Sequence, residues 1–201
     1  MNLQNPKKFK MMVDQAHEVA LNVLRPISRK YDKAEHAYPK ELDMLASLID
    51  GMNEGGEGIN AGAAVGKRGE TESGNKNGNN MSTALGIIEM CYGDTGLLLS
   101  MPRQGLGNSA IAAVANDEQL ERFKGTWAAM AITEPGCGSD SAAIRTTATQ
   151  DGDEYILNGE KIFVTSGDRA DSVVVWATLD KKLGRAAIKS FIVPKGTPGM
   201  N

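Results

Sequence analysis

Between Met130 and Ala143 the chain reads MAITEPGCGSDSAA, and this is where residues able to do chemistry crowd together. Pro135 fixes its own φ and donates no backbone hydrogen bond, so the chain must turn there. Gly136 and Gly138 lack a Cβ, which permits positive φ and lets backbone N–H groups approach a ligand closely. Thr133, Ser139 and Asp140 set short hydrogen-bonding side chains around the same bend. Glu134 adds a carboxylate, a group suited to general acid–base work. A flat ligand with a polar edge, held by backbone amides, suits such a surface. A well-capped turn with no ligand suits it equally, and the turn alone leaves both readings open.

Few other residues offer a site. Cys91 and Cys137 form no metal or redox spacing, so reduced thiols in a cytoplasmic protein are the expectation. His17 and His36 are too few for a histidine-based metal site or triad. The run GKRGET lacks the strand and the Gly-Lys-Ser/Thr end of a phosphate-binding loop. A formal net charge of −3 gives no reason to expect nucleic acid or an anionic membrane as partner. No apolar run reaches the roughly 20 residues of a membrane span, and MNLQNPKKFKMM lacks a signal-peptide core.

The elements that must position the turn divide by period. Apolar residues from Phe9 to Tyr31 recur at helical intervals, with Pro26 predicted to end or kink the helix near Arg25. His17, Asp14, Glu18 and Lys30 are expected on its solvated face. Lys40–Met52 is a second helix, with Leu42, Leu45, Leu48 and Ile49 inward. Residues 51–80 are rich in Gly and Asn and poor in large apolar side chains, which predicts a long flexible loop, with a ligand lid as the alternative. Helical patterning returns at Met81–Tyr92 and Leu106–Ala115, and Asn116 caps a short helix to Phe123.

After Lys124 the period becomes two. Thr126–Ile132, Ile144–Gln150, Glu154–Leu157, Glu160–Thr165, Ser172–Ala177 and Ala187–Val193 are strand candidates separated by turn residues. Asn158-Gly159 predicts a type I′ hairpin between Tyr155–Leu157 and Ile162–Val164. The expected fold class is α+β. A helical domain (1–125, including the 51–80 loop) precedes an antiparallel β-barrel-like or β-sandwich domain (126–201), incomplete at its C-terminus.

In this order of elements the sequence resembles the acyl-CoA dehydrogenase family of flavoproteins. RPISRKYDKAEHAYPKEL is similar to that family's first helix and the segment after it, and EMCYGDTG precedes a small-residue helix as it does there. AITEPGCGSD matches the signature Thr-Glu-Pro-Gly-x-Gly-Ser-Asp. LNGEKIFVTSGDRAD matches the Asn-Gly-x-Lys segment, followed by FIVPKGTPGM.

The resemblance implies FAD as cofactor, an acyl-CoA thioester as substrate and Cα–Cβ desaturation with hydride transfer to flavin N5, the chemistry of fatty acid β-oxidation. It further implies an electron-transfer flavoprotein as acceptor and a homotetramer. By motif, Met130, Ala131, Ile132, Thr133, Gly138 and Ser139 would line the flavin, with Ser139 also meeting the substrate. Phe163, Val164 and Thr165 would cover the other part of the ring, Phe163 standing where Trp is common. Glu134 would belong to the turn, and the catalytic base to a C-terminal helical domain expected beyond this chain. The 201 residues alone are therefore expected to hold flavin weakly and to be inactive. An acyl-CoA oxidase or flavin monooxygenase on the same scaffold, or a non-catalytic remnant, would share these motifs.

Overall fold

The structure, a computed structural model, describes residues 7–35, 37–54, 79–102 and 106–201. These fall into two compact units, one within residues 7–102 and one comprising 106–201. The core of the expected 51–80 loop, 55–78, lies outside the described residues. Its two ends are helical, because α3 (Glu41–Glu54) runs past residue 51 and α4 (Asn79–Gly93) starts before residue 81.

In the first unit a single helical course is interrupted where Pro26 requires it. A short 3₁₀ turn (Lys7–Phe9) leads into α1 (Lys10–Val19), and α2 (Arg25–Lys33) carries Pro26 in its first turn. Between them, Ala20–Leu24 takes the wider π spacing, and the Arg25 N–H donates to the Ala20 carbonyl. Proline cannot donate to the carbonyl four residues back, and the π turn absorbs that lost bond. Leu24, Leu42, Leu45, Met90, Leu97 and Met101 form the core, with Tyr31 and Ile27 packed on it. Leu48, expected inward, is exposed. His17 is not simply solvated: it lies 2.8 Å from Glu89 of α4 and stacks on Tyr92. Asp94 caps the short helix α5 (Thr95–Leu99) by accepting from the Leu97 N–H at 2.8 Å.

The second unit is built on a mixed sheet of five strands: β1 (Ala128–Ala131), β2 (Thr147–Asp151), β3 (Glu154–Asn158), β4 (Ser172–Thr178) and β5 (Ile188–Pro194). β4 is central. β5 pairs with it antiparallel along its whole length, while β1 pairs with it parallel over Ser172–Val175 and β2 joins it parallel at Thr178. Helices followed by strands is the expected order, but the sheet is neither purely antiparallel nor closed into a barrel. Two of its pairings are parallel because the chain crosses over from β1 and from β2 to reach β4.

Period-two alternation in β1 separates two apolar layers. Ala129 and Ala131 join Trp127, Ala170 and Val173 on one face, against Val164 and Val175. Ala128 joins Val174 and Ile111 on the other, where Leu120 and Phe123 also pack. Helices α6 (Leu106–Val114) and α7 (Asp117–Arg122) therefore lie on the sheet. Gly107 makes this possible, since a Cβ there would meet the Ala129 carbonyl oxygen at 2.3 Å. Asn108, 1% exposed, accepts from the Ala128 N–H and donates to the Thr126 carbonyl, tying the start of β1 to α6. Among the described residues no helix is long and apolar enough to cross a membrane.

One of the six predicted strands, Glu160–Thr165, is absent, and with it the Asn158-Gly159 hairpin. A type I′ turn needs positive φ at both central residues, and neither Asn158 nor Gly159 has it. The hairpin is made one turn earlier, where Gly152 (φ 60°) reverses the chain between β2 and β3. Gly159 serves close approach instead: a Cβ there would meet the Thr146 hydroxyl oxygen at 2.3 Å. Beyond it the chain leaves the sheet and runs to the turn that follows β1.

Candidate functional site

The turn after β1 is organised by Glu134. Its backbone N–H donates to the Cys137 carbonyl at 2.9 Å, and the Cys137 N–H returns the bond at 3.1 Å. Pro135 and Gly136 occupy the corner, where the fixed φ of proline suits the first central position. Gly136 does not take the left-handed conformation that a type II turn would need there. The chain then passes through a 3₁₀ turn (Ser141–Ala143) and returns across the Glu134 side chain before entering β2.

That side chain is buried, 6% exposed, and fully engaged. Its carboxylate accepts from the Arg145 N–H at 2.6 Å, the Thr146 N–H at 2.9 Å and the Thr146 hydroxyl at 2.6 Å. A fourth donor is the Lys161 ammonium at 2.7 Å, which also donates to the Ile132 carbonyl at 2.9 Å. Burial by itself would push the Glu134 carboxyl up. The hydrogen bonds from Lys161, Thr146 and the two backbone amides prevail and hold it near about 2. A carboxylate so weakly basic and so occupied is a structural clamp and a poor proton acceptor.

Lys161 brings the second predicted segment to the first. The Ile162 N–H donates to the Thr133 carbonyl at 2.9 Å, so Ile132–Glu134 and Lys161–Ile162 lie side by side. Val164 packs into the same apolar layer as Ala131. Phe163 does the opposite. It is 87% exposed, with φ 56°, a conformation that costs a non-glycine residue on the order of 1 kcal/mol. The turn is closed by the Gly167 N–H on the Val164 carbonyl.

Ala131 is buried in the sheet core. Met130, Ile132, Thr133, Val164 and Thr165 are half-buried, and Gly138 and Ser139 are exposed. Glycine is required at 136 and 138 neither by φ nor by crowding within the chain. A Cβ at Gly136 would meet nothing within 4 Å, and one at Gly138 only the Thr133 methyl at 3.9 Å. Gly136 and Gly138 thus border open space on a turn that also carries the Thr133 and Ser139 hydroxyls. Among the described residues no cluster of three or more His, Cys, Asp or Glu is placed to hold a metal.

Lys161 and Glu134 as a buried pair were the feature the sequence concealed. Its trace is a lysine just before the apolar run Ile162-Phe163-Val164, where a strand reading would send it to solvent.

Residues 129–201 match the family model of the acyl-CoA dehydrogenase middle domain. Over 87 residues the chain is 45% identical to cyclohex-1-ene-1-carbonyl-CoA dehydrogenase of Geobacter metallireducens, covering 42% of this chain and 23% of that one. The structure of butyryl-CoA dehydrogenase from Megasphaera elsdenii superposes with a TM-score of 0.75 at 27% identity, over 99% of this chain and 51% of that one. The FAD complex of PigA shares the fold, with a TM-score of 0.75 at 24% identity over 100% of this chain and 51% of that one. The chain spans about half or less of the length of the curated relatives it matches. With its clamped Thr-Glu-Pro-Gly turn inside the matched segment, residues 129–201 form an acyl-CoA dehydrogenase middle domain.

Proposed function

We propose that this chain provides the flavin-facing wall of an FAD-dependent acyl-CoA dehydrogenase. One observation carries the reading: Ile132–Glu134 and Lys161–Ile162 are locked side by side, next to an exposed Phe163 in sequence and a turn holding two glycines that the fold does not need. Bound FAD would supply the two-electron acceptor for α,β-desaturation of an acyl-CoA thioester. The backbone at Ile132 and the hydroxyl of Thr133 orient the polar edge of the ring. The Phe163 ring covers its apolar part, and Ser139, exposed at the end of the turn, faces the thioester side. Buried Ala131 and half-buried Val164 pack in one apolar layer and keep the wall rigid, which is what preorganised hydrogen bonding needs.

Glu134 is assigned no proton transfer, because five donors hold its carboxylate. The proton-abstracting carboxylate is assigned to a C-terminal helical domain, which makes this chain by itself inactive. An electron-transfer flavoprotein as acceptor and a homo-oligomeric enzyme complete the proposal.

The test is an FAD titration of the purified chain, followed by flavin absorbance and fluorescence. A shifted, quenched flavin spectrum is expected, weakened at least tenfold by Thr133→Val. Absence of any FAD uptake by the parent chain would return the turn to a purely structural role. Oxygen consumption with acyl-CoA and no dye acceptor, by an enzyme that includes the base-bearing domain, would instead favour an oxidase.

A further inference from the structure

We infer that Lys161 is a positioning residue: its buried ammonium latches the Lys161–Thr165 segment onto Ile132–Glu134 and so sets the shape of the ligand-facing wall. The inference rests on the flavin reading above for what the wall binds, but the latch itself is a property of this chain.

Three observations carry it. The Lys161 side chain is 9% exposed, and burying an ammonium is costly unless it is paired and hydrogen-bonded. Its two acceptors, the Ile132 carbonyl and Glu134 Oε1, both lie on the segment leaving β1, 29 and 27 residues away in sequence. Glu134 already accepts four other hydrogen bonds, the longest from the Cys137 thiol, so the lysine is not needed to satisfy the carboxylate. What it adds is a link between segments. The linked segment has no ladder of its own, and it carries left-handed backbone at Phe163 and Ser166. Such conformations persist only where the surroundings over-determine them. The Lys161 bonds and the Ile162 N–H on the Thr133 carbonyl restrain the segment from the β1 side, while Val164 packing and amides donating to the Val164 and Ser166 carbonyls hold its far end.

A lysine that only neutralised a buried carboxylate would behave differently. Removing both charges would then restore the parent, whereas a latch stays broken. The test compares the full parent chain with Lys161→Met and Lys161→Met/Glu134→Gln. Amide hydrogen exchange of Ile162 is read against Val174 in central β4, and FAD affinity is measured by titration.

In both variants the Ile162 amide is expected to exchange at least tenfold faster relative to Val174, with FAD binding at least tenfold weaker. An unchanged Ile162-to-Val174 ratio in the double variant would overturn the latch, as would loosened Ile162 with parental FAD affinity. Should the double variant not fold, the same ratio in Lys161→Met decides. Failure of the parent chain to bind FAD would remove the flavin reading alone, since the amide comparison still stands or falls by itself.

Discussion

Gly159 sits so close to Thr146 that a Cβ at position 159 would meet the Thr146 hydroxyl oxygen at 2.3 Å and its Cα at 2.7 Å. The same hydroxyl donates to Glu134, so the glycine, the threonine and the clamp form one packed unit. Gly159→Ala is therefore expected to destabilise the protein by about 2 kcal/mol, as overpacking against backbone does. Gly136→Ala, with nothing within 4 Å, is expected to leave stability within about 0.5 kcal/mol while weakening FAD binding. Urea unfolding and flavin titration on the two variants separate these roles, and equal destabilisation by both would contradict the assignment.

Acid should unlock the turn. The Glu134 carboxyl is held near about 2 against an ordinary value of 4.5. A depressed carboxylate contributes stability that is full above the unfolded value and is lost as pH falls from about 4.5 through about 2. The linked free energy is on the order of 3 kcal/mol. The pH dependence of unfolding should be shallower by that amount in Glu134→Gln across this window. A parallel dependence in parent and variant would show that Glu134 does not titrate as proposed.

Phe163 should be a residue whose removal helps the fold and harms the site. With φ 56° and 87% of its surface exposed, it contributes strain and little burial. Phe163→Gly is expected to raise stability by about 1 kcal/mol, because glycine takes left-handed backbone without the Cβ penalty. The same change should lower FAD affinity through loss of the covering ring. Thermal unfolding and flavin titration test both, and unaltered FAD affinity would exclude Phe163 from the wall.

Asn108 should matter although it lies far from the turn in sequence. Its amide exchanges two hydrogen bonds with the Thr126 carbonyl and the Ala128 N–H at 2.6 and 3.0 Å, inside the core. Asn108→Ala leaves both backbone groups without their partner and is expected to cost about 3 kcal/mol. The loss should appear in chemical denaturation as a lower midpoint. A midpoint close to that of the parent would mean that water replaces the amide.

Local chemistry was legible from the residues themselves. Pro26 predicted the helix irregularity, because a missing N–H disturbs any helix that contains it. Asn116 predicted the start of α7, since a capping box is completed within four residues by Gln119. The turn at Thr133–Asp140 announced itself through Pro135, and period-two alternation located β1, β2, β3, β4 and β5.

Long-range pairing was not legible. Asn158-Gly159 between two apolar runs is the local signature of a hairpin, yet the apolar run after it does not pair with β3. Competing tertiary terms decided the matter. Lys161 found a buried carboxylate 27 residues away, and Gly159 was needed against Thr146. The parallel pairings of β4 with β1 and β2 were hidden for the same reason, since crossover connections leave no short-range signal. The sequence by itself determined which residues turn, cap and alternate, because those preferences act within a few bonds. Only the tertiary structure decided that Glu134 and Lys161 meet and that Phe163 faces solvent, because both depend on which segments share a desolvated space.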